Sequence, residues 1–208
     1  MSTIVLIGPI GTGKGTKTKK AKEVIANLKS ISTGDLLRES GFDLSSGKLI
    51  SDDIVMGLLK GKLEEYMSGT DEKVNTFIIL DGVPRNLEQA QLMEEEQIKV
   101  DMVLYLPLTL EEALDRAENR IVCTNKKCNA TYTKNDFNPP KVEGICDLCG
   151  TKLGKREDDN PDTVEKRMKI YFEKTHPLLD WYRNNDVPVV TVTTDDEFVN
   201  AVLSSVSE

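Results

Sequence analysis

At 208 residues, with 38% apolar and 30% charged content, the chain suits one α/β domain with room for small insertions and has the composition of an ordinary soluble globule. Its net charge of −8 argues against a nucleic-acid partner, which asks for a basic patch, and apolar runs such as Phe77-Ile78-Ile79-Leu80 are far too short to cross a bilayer. The N-terminal MSTIVLIG shows neither a basic leader nor a small-residue cleavage site, so a cytoplasmic protein is expected.

Ile4-Val5-Leu6-Ile7 reads as a buried strand running straight into GPIGTGKGT, Gly8 to Thr16. After that loop Ala21, Val24, Ile25 and Leu28 recur at helical spacing, with lysines on the other face. Phe77 to Leu80, ending on Asp81, and Met102 to Leu106 read as further buried strands. Thr109-Leu110-Glu111-Glu112 is a capping box, opening a helix with the apolar stripe Leu110, Ala113, Leu114 and Ala117. Asn160-Pro161 supplies an N-cap and first residue for a helix running past Tyr171. Val189 to Val192 is another strand, and Asp195 starts a last helix with Phe198, Val199, Val202 and Val206 inward. Tyr171, Phe172 and Trp181 read as core aromatics and the single histidine, His176, as structural.

Strands alternating with helices predict a parallel sheet covered on both faces, with ligands at the carboxyl ends of the strands. Gly8, Asp81 and the stretch after Leu106 lie at such ends. Two segments break the rhythm, roughly 30–50 and 121–159, and are expected to leave the core and move against it.

Strand, glycine loop and helix together give the loop its chemistry. Backbone N–H groups from Gly11 to Thr16 surround an anion with donors, and Lys14 reaches the β- and γ-phosphates. The pattern G-x-x-x-x-G-K-[ST] asks for a hydroxyl after the lysine. Gly15 stands there, and Thr16 follows one residue later. Within the second excursion, Cys123-x4-Cys128 and Cys146-x2-Cys149 have the spacings of a tetrahedral zinc ribbon. A cytoplasmic setting disfavours disulfides.

The loop GPIGTGKGT resembles that of adenylate kinases and their nucleoside monophosphate kinase relatives. STGDLLR (Ser32 to Arg38), LDGVPRNLEQA (Leu80 to Ala90) and REDDNPDTVEKR (Arg156 to Arg167) resemble further motifs of that family, in order and spacing. The resemblance implies a P-loop three-layer sandwich with a parallel sheet of about five strands and a small zinc-ribbon lid. It divides the chain into a core of 1–29, 51–120 and 160–208, a shortened monophosphate-binding insertion at 30–50 and a lid at 121–159. Transfer of the γ-phosphoryl group of MgATP to AMP is the implied activity, with ATP and AMP as small-molecule partners. The expected chain is a monomer, with self-association left open.

By that resemblance ATP would meet Gly8, Gly11, Thr12, Gly13, Lys14, Gly15, Thr16, Arg116 and Arg120. AMP would meet Thr33, Arg38, Ile50, Gly82, Arg85, Gln89, Arg156 and Arg167. The catalytic set would be Lys14, Asp81, Arg85, Arg120, Arg156 and Arg167, with Asp81 holding Mg²⁺ through water and Cys123, Cys128, Cys146 and Cys149 holding structural Zn²⁺. Six of the seven arginines fall on family motifs, against twenty lysines elsewhere; only Arg183 is left over. Gln89 stands where adenylate kinases read the adenine edge. Only the eight residues ESGFDLSS separate Arg38 from Gly47-Lys48-Leu49-Ile50, so the insertion is trimmed, and Val83 replaces an aromatic. Thr193-Thr194-Asp195 departs from the family's turn near the donor base. Another monophosphate acceptor, GTP as donor, and a nucleotide-dependent binding switch are the remaining readings.

Overall fold

The middle strand of the main sheet is β1 (Ser2–Ile7), every residue of which is buried. A computed structural model describes residues 1–42, 50–68, 76–125, 128, 130–135, 138–156 and 158–205. The loop after β1 leads into α1 (Lys14–Val24), and then come β2 (Leu28–Ser32), α2 (Thr33–Glu39), α3 (Asp52–Ser68), β3 (Phe77–Asp81), α4 (Leu87–Glu95) and β4 (Met102–Tyr105). The chain continues with α5 (Leu110–Asn119), β5 (Arg120–Cys123), β6 (Thr131–Thr133), β7 (Leu153–Gly154), α6 (Pro161–Ile170), α7 (Leu178–Asn184), β8 (Val189–Thr191) and α8 (Asp195–Ser204).

The main sheet has five strands in the order β2-β3-β1-β4-β8, paired in parallel throughout. Because side chains alternate along a strand, Ile4 and Leu6 join one core with Phe198 and Val202 of α8, while Val5 and Ile7 join the other with Leu59, Met93 and Leu178. The α/β fold with a parallel five-stranded sheet is the one expected. Pairing of Leu6 with Asp81 and of Ile7 with Tyr105 brings the carboxyl ends of three strands level, beside the glycine loop. A separate antiparallel sheet, β6-β5-β7, forms the excursion that holds the cysteines.

Several local expectations change. Leu28 does not continue α1; it opens β2, which lies at the sheet edge beside β3, so residues 30–32 belong to the main sheet. Helix α1 stops because Ile25 turns to extended backbone, and the apolar recurrence that mimics a longer helix spans an exposed turn at Ala26 and Asn27 followed by a strand. Val24 is 70% exposed as a result. Leu110 and Phe172 are also exposed: Leu110 is the first residue after the N-cap, and Phe172 lies in a π-helical turn, Tyr171–Thr175, that rotates it off the buried face. Val206, Gly47, Lys48 and Leu49 lie outside the described residues. His176 packs edge-on against Tyr105 and Tyr171.

Candidate active site

Gly8 leaves β1 where a side chain has no room: a Cβ there would lie 2.6 Å from the carbonyl oxygen of Leu106. This close approach folds the loop against the end of β4, and Gly13, with φ of 79°, caps α1 in the left-handed region. The Lys14 ammonium arches back over the loop and donates to the carbonyl oxygens of Gly8 at 2.7 Å and Pro9 at 2.9 Å. It also contacts the buried Thr12 hydroxyl at 3.2 Å. Gly15 and Thr16 occupy the exposed first turn of α1, where the backbone N–H groups are unpaired within the helix.

Cationic side chains converge on this loop. Burial pushes the Lys14 ammonium below its ordinary value; Asp81 opposes that fall, while Arg85, Arg120 and Arg167 add to it. Arg85 is likewise pushed down by burial and supported by Asp81, and it is close enough to Arg167 and Arg38 to feel both. Arg156 responds to burial first, then to Asp158, Arg120 and Arg38. The structure therefore brings Lys14, Asp81, Arg38, Arg85, Arg120, Arg156 and Arg167 into one electrostatic neighbourhood. Arg116, on α5, donates to the Gly11 carbonyl of the same loop at 3.1 Å.

Two buried aspartates hold three of these arginines. Arg120 binds Asp159 through both carboxylate oxygens. Arg156 and Arg167 share Asp158, at 2.8 Å and 2.7 Å. Burial alone would raise the Asp158 carboxyl, but Arg156, Arg167 and Arg120 outweigh it and hold the group below the usual carboxylate range.

The turn after β3 holds Thr33 and Arg85 together. Gly82 has φ of 88°, and a Cβ on it would meet the Thr33 hydroxyl at 2.5 Å. Instead that hydroxyl donates to the Gly82 carbonyl at 2.9 Å, and Arg85 Nε donates to the same oxygen at 2.9 Å. Arg38 is paired with Asp35 one helical turn earlier. Ile50 packs, half-buried, on the core beside α3. Gln89 is 1% exposed.

In the small sheet all four cysteine sulfurs lie within 4.8 Å of one another. Cys123 and Cys149 are 3.4 Å apart and Cys128 and Cys146 3.7 Å. Four thiolates at about 2.3 Å from one tetrahedral zinc would stand roughly 3.8 Å apart, so the cluster fits that ion.

A family model described as Adenylate kinase matches residues 6–187. A relative named adenylate kinase from Clostridium botulinum strain Hall is 33% identical, covering 98% of this chain and 96% of its own. One from Methanosarcina barkeri strain Fusaro is 34% identical over 96% and 97%, and one from Streptomyces griseus is 35% identical over 91% and 89%.

The chain belongs to the adenylate kinase family.

The sequence motifs assign no role to three residues of this adenylate kinase fold. Asp52, at the start of α3, receives a hydrogen bond from Gln89 Nε2 at 2.6 Å. Asn86 caps α4 and faces the same carboxylate at 3.3 Å. Thr175, in the π-helical turn, donates its hydroxyl to the Arg85 carbonyl at 2.7 Å. No spacing in the sequence links positions 34, 37 or 90 residues apart; the polar-cap residue Asn86 before Leu87 was the one available signal. No helix among the described residues is long and apolar enough to cross a membrane.

Proposed function

We propose that the protein transfers the γ-phosphoryl group of ATP to AMP, giving two molecules of ADP. The observation that carries this reading is the convergence of Lys14, Arg85, Arg120 and Arg167 beside a glycine loop at the carboxyl end of the sheet. Phosphoryl transfer needs positioning and compensation of negative charge more than covalent chemistry. An oxygen of the AMP phosphate forms the new bond to the γ-phosphorus while the bond to the β-phosphate oxygen breaks. That acceptor oxygen is already anionic, so no general base is required.

In this reading Gly8 to Thr16 hold the donor phosphates, and Lys14 exchanges its loop carbonyls for phosphate oxygens when nucleotide arrives. Arg38 and Arg85 hold the monophosphate, with Thr33, Gly82 and Ile50 lining the site and Gln89 on its base. Arg120, Arg156 and Arg167 turn toward the transferring group, and Arg116 lies near the donor adenine. Asp81 offers the hard oxygen ligand that suits Mg²⁺, which supplies charge neutralisation on the donor phosphates. Zinc on the four cysteines would staple the 121–159 lid, which has little core of its own, and the lid excludes water so that the phosphoryl group reaches AMP.

The test is ADP formation followed by phosphorus NMR, with MgATP and MgGTP against AMP, GMP, CMP and UMP. Rapid ADP formation from ATP and AMP is expected. Equal rates with several acceptors would retain a monophosphate kinase and remove the AMP assignment, and no transfer to any acceptor would overturn both.

A further inference from the structure

Two hydrogen bonds fix the orientation of the Gln89 amide. The Arg85 main-chain N–H donates to its Oε1 at 2.7 Å, and its Nε2 donates to Asp52 Oδ1 at 2.6 Å. Turned over, the amide would set NH₂ against an N–H group and its oxygen against a carboxylate, two repulsions in place of two hydrogen bonds. Asp52 is itself held, because Asn86 Nδ2 faces both of its oxygens at 3.3 Å. Asn86 in turn has one orientation, since its Oδ1 accepts the Gln89 main-chain N–H at 2.7 Å. The starts of α3 and α4 are thus joined by a network in which each hydrogen has one direction.

A primary amide has two acceptor lone pairs and two donor hydrogens. After these contacts Gln89 keeps one of each. A 6-aminopurine shows an amino donor beside the N1 acceptor and complements that pair. A 6-oxopurine shows an acceptor beside an N1–H donor and complements only the turned-over amide.

We propose that Asp52 is a specificity-determining positioning residue, which locks the Gln89 amide and so selects 6-amino over 6-oxopurine monophosphates as acceptors. The inference rests on the assignment of Gln89 to the acceptor base. Ring size is set elsewhere, because cytosine shares the amino pattern; AMP and IMP differ at the 6-position and keep the ring size constant.

The experiment measures kcat/KM for AMP and IMP in the wild type, in Asp52→Asn and in Asp52→Glu. Asn at 52 offers either oxygen or NH₂ to Gln89 and releases one of the two constraints, so the AMP-to-IMP ratio falls about tenfold. Glu restores an obligate acceptor and the ratio recovers. A ratio unmoved in Asp52→Asn, with AMP still turned over, overturns the lock alone. A wild type that phosphorylates neither purine overturns the assigned activity and the selectivity built on it. The lock is also read without nucleotide or substitution: the Gln89 side-chain NMR signals of the wild type carry one proton shifted well downfield by the carboxylate, and an average pair of shifts overturns it.

Discussion

Arg120 and Asp159 join the two ends of the segment that holds the small sheet and the cysteines. Arg120 opens β5, Asp159 lies just before α6, and Nε of the one donates to Oδ2 of the other at 2.7 Å, with Nη2 on Oδ1. The Asp159 side chain is fully shielded from solvent. The side-on grip uses one edge of the guanidinium and leaves the Nη1 edge for phosphate oxygens.

Asp159→Asn should therefore act on both stability and turnover. Removing the charge leaves a largely buried guanidinium without its partner, at a cost of about 3 kcal/mol by comparison with other broken buried pairs. With Arg120 no longer aimed, kcat should fall roughly 10- to 100-fold; Arg120→Lys, which loses the fork itself, should lose ~10²–10³. Single-turnover quench with thermal melting checks this, and a stable Asp159→Asn enzyme of undiminished kcat would remove the positioning role.

Thr175 reaches the acceptor side from behind. Its hydroxyl is the donor that fixes the Arg85 carbonyl, at 2.7 Å, and it sits in the π-helical turn that follows Arg167 and α6. Thr175→Val deletes that bond while keeping volume, so the KM for AMP should rise about fivefold, the worth of roughly one net hydrogen bond. Thr175→Ser should bring it back. Steady-state kinetics across the pair decide it: a rise in the KM for ATP instead of AMP would show that Thr175 serves the donor.

What was legible in the sequence was what depends on local pattern. The glycine loop, the capping box at Thr109, the Asn160-Pro161 start of α6 and the parallel sheet follow from strand-loop-helix alternation and short-range capping chemistry. Distant pairing was invisible. Leu28 carries an apolar residue at helical spacing from Ala21 and becomes a strand because β3 offers an edge to pair with. Asp52 is one acidic residue among thirty-five Asp and Glu until the fold sets it beside Gln89. The arginines stood out because lysine dominates elsewhere, and Asp158 and Asp159 read as residues that orient neighbouring groups, but which arginine each one holds depends on the fold.

Zinc is tested by removing it. The small sheet is short and its buried cluster consists of Cys123, Ala130, Tyr132 and Cys146, too little apolar surface to hold a domain together unaided. A chromogenic chelator should extract one zinc per chain after the thiols are displaced with a mercurial. The stripped protein should melt lower and lose phosphotransfer, while the core keeps its far-ultraviolet circular dichroism. A purified chain that contains no zinc and retains full activity would rule the staple out.

The last prediction concerns acid. Glu197 closes a second capping box, at the start of α8: its carboxylate accepts from the Thr193 N–H at 2.8 Å and hydroxyl at 2.9 Å, and from the Thr194 N–H at 3.1 Å. Those bonds favour the ionised form and bring its pKa from 4.5 down to about 2. The folded state thus holds this proton more weakly than the unfolded chain. The contribution is fully present above pH 4.5 and is lost as pH falls from there toward 2. The turn also carries Asp195, which pairs with Lys17 at 2.9 Å and so ties α8 to the helix behind the glycine loop. Glu197→Gln should lower the melting temperature by a constant amount above about pH 5, and the gap between variant and wild type should close as the pH approaches 2. Calorimetry across that range measures the gap directly; one that stayed open at pH 2 would mean the side chain acts through packing instead of charge.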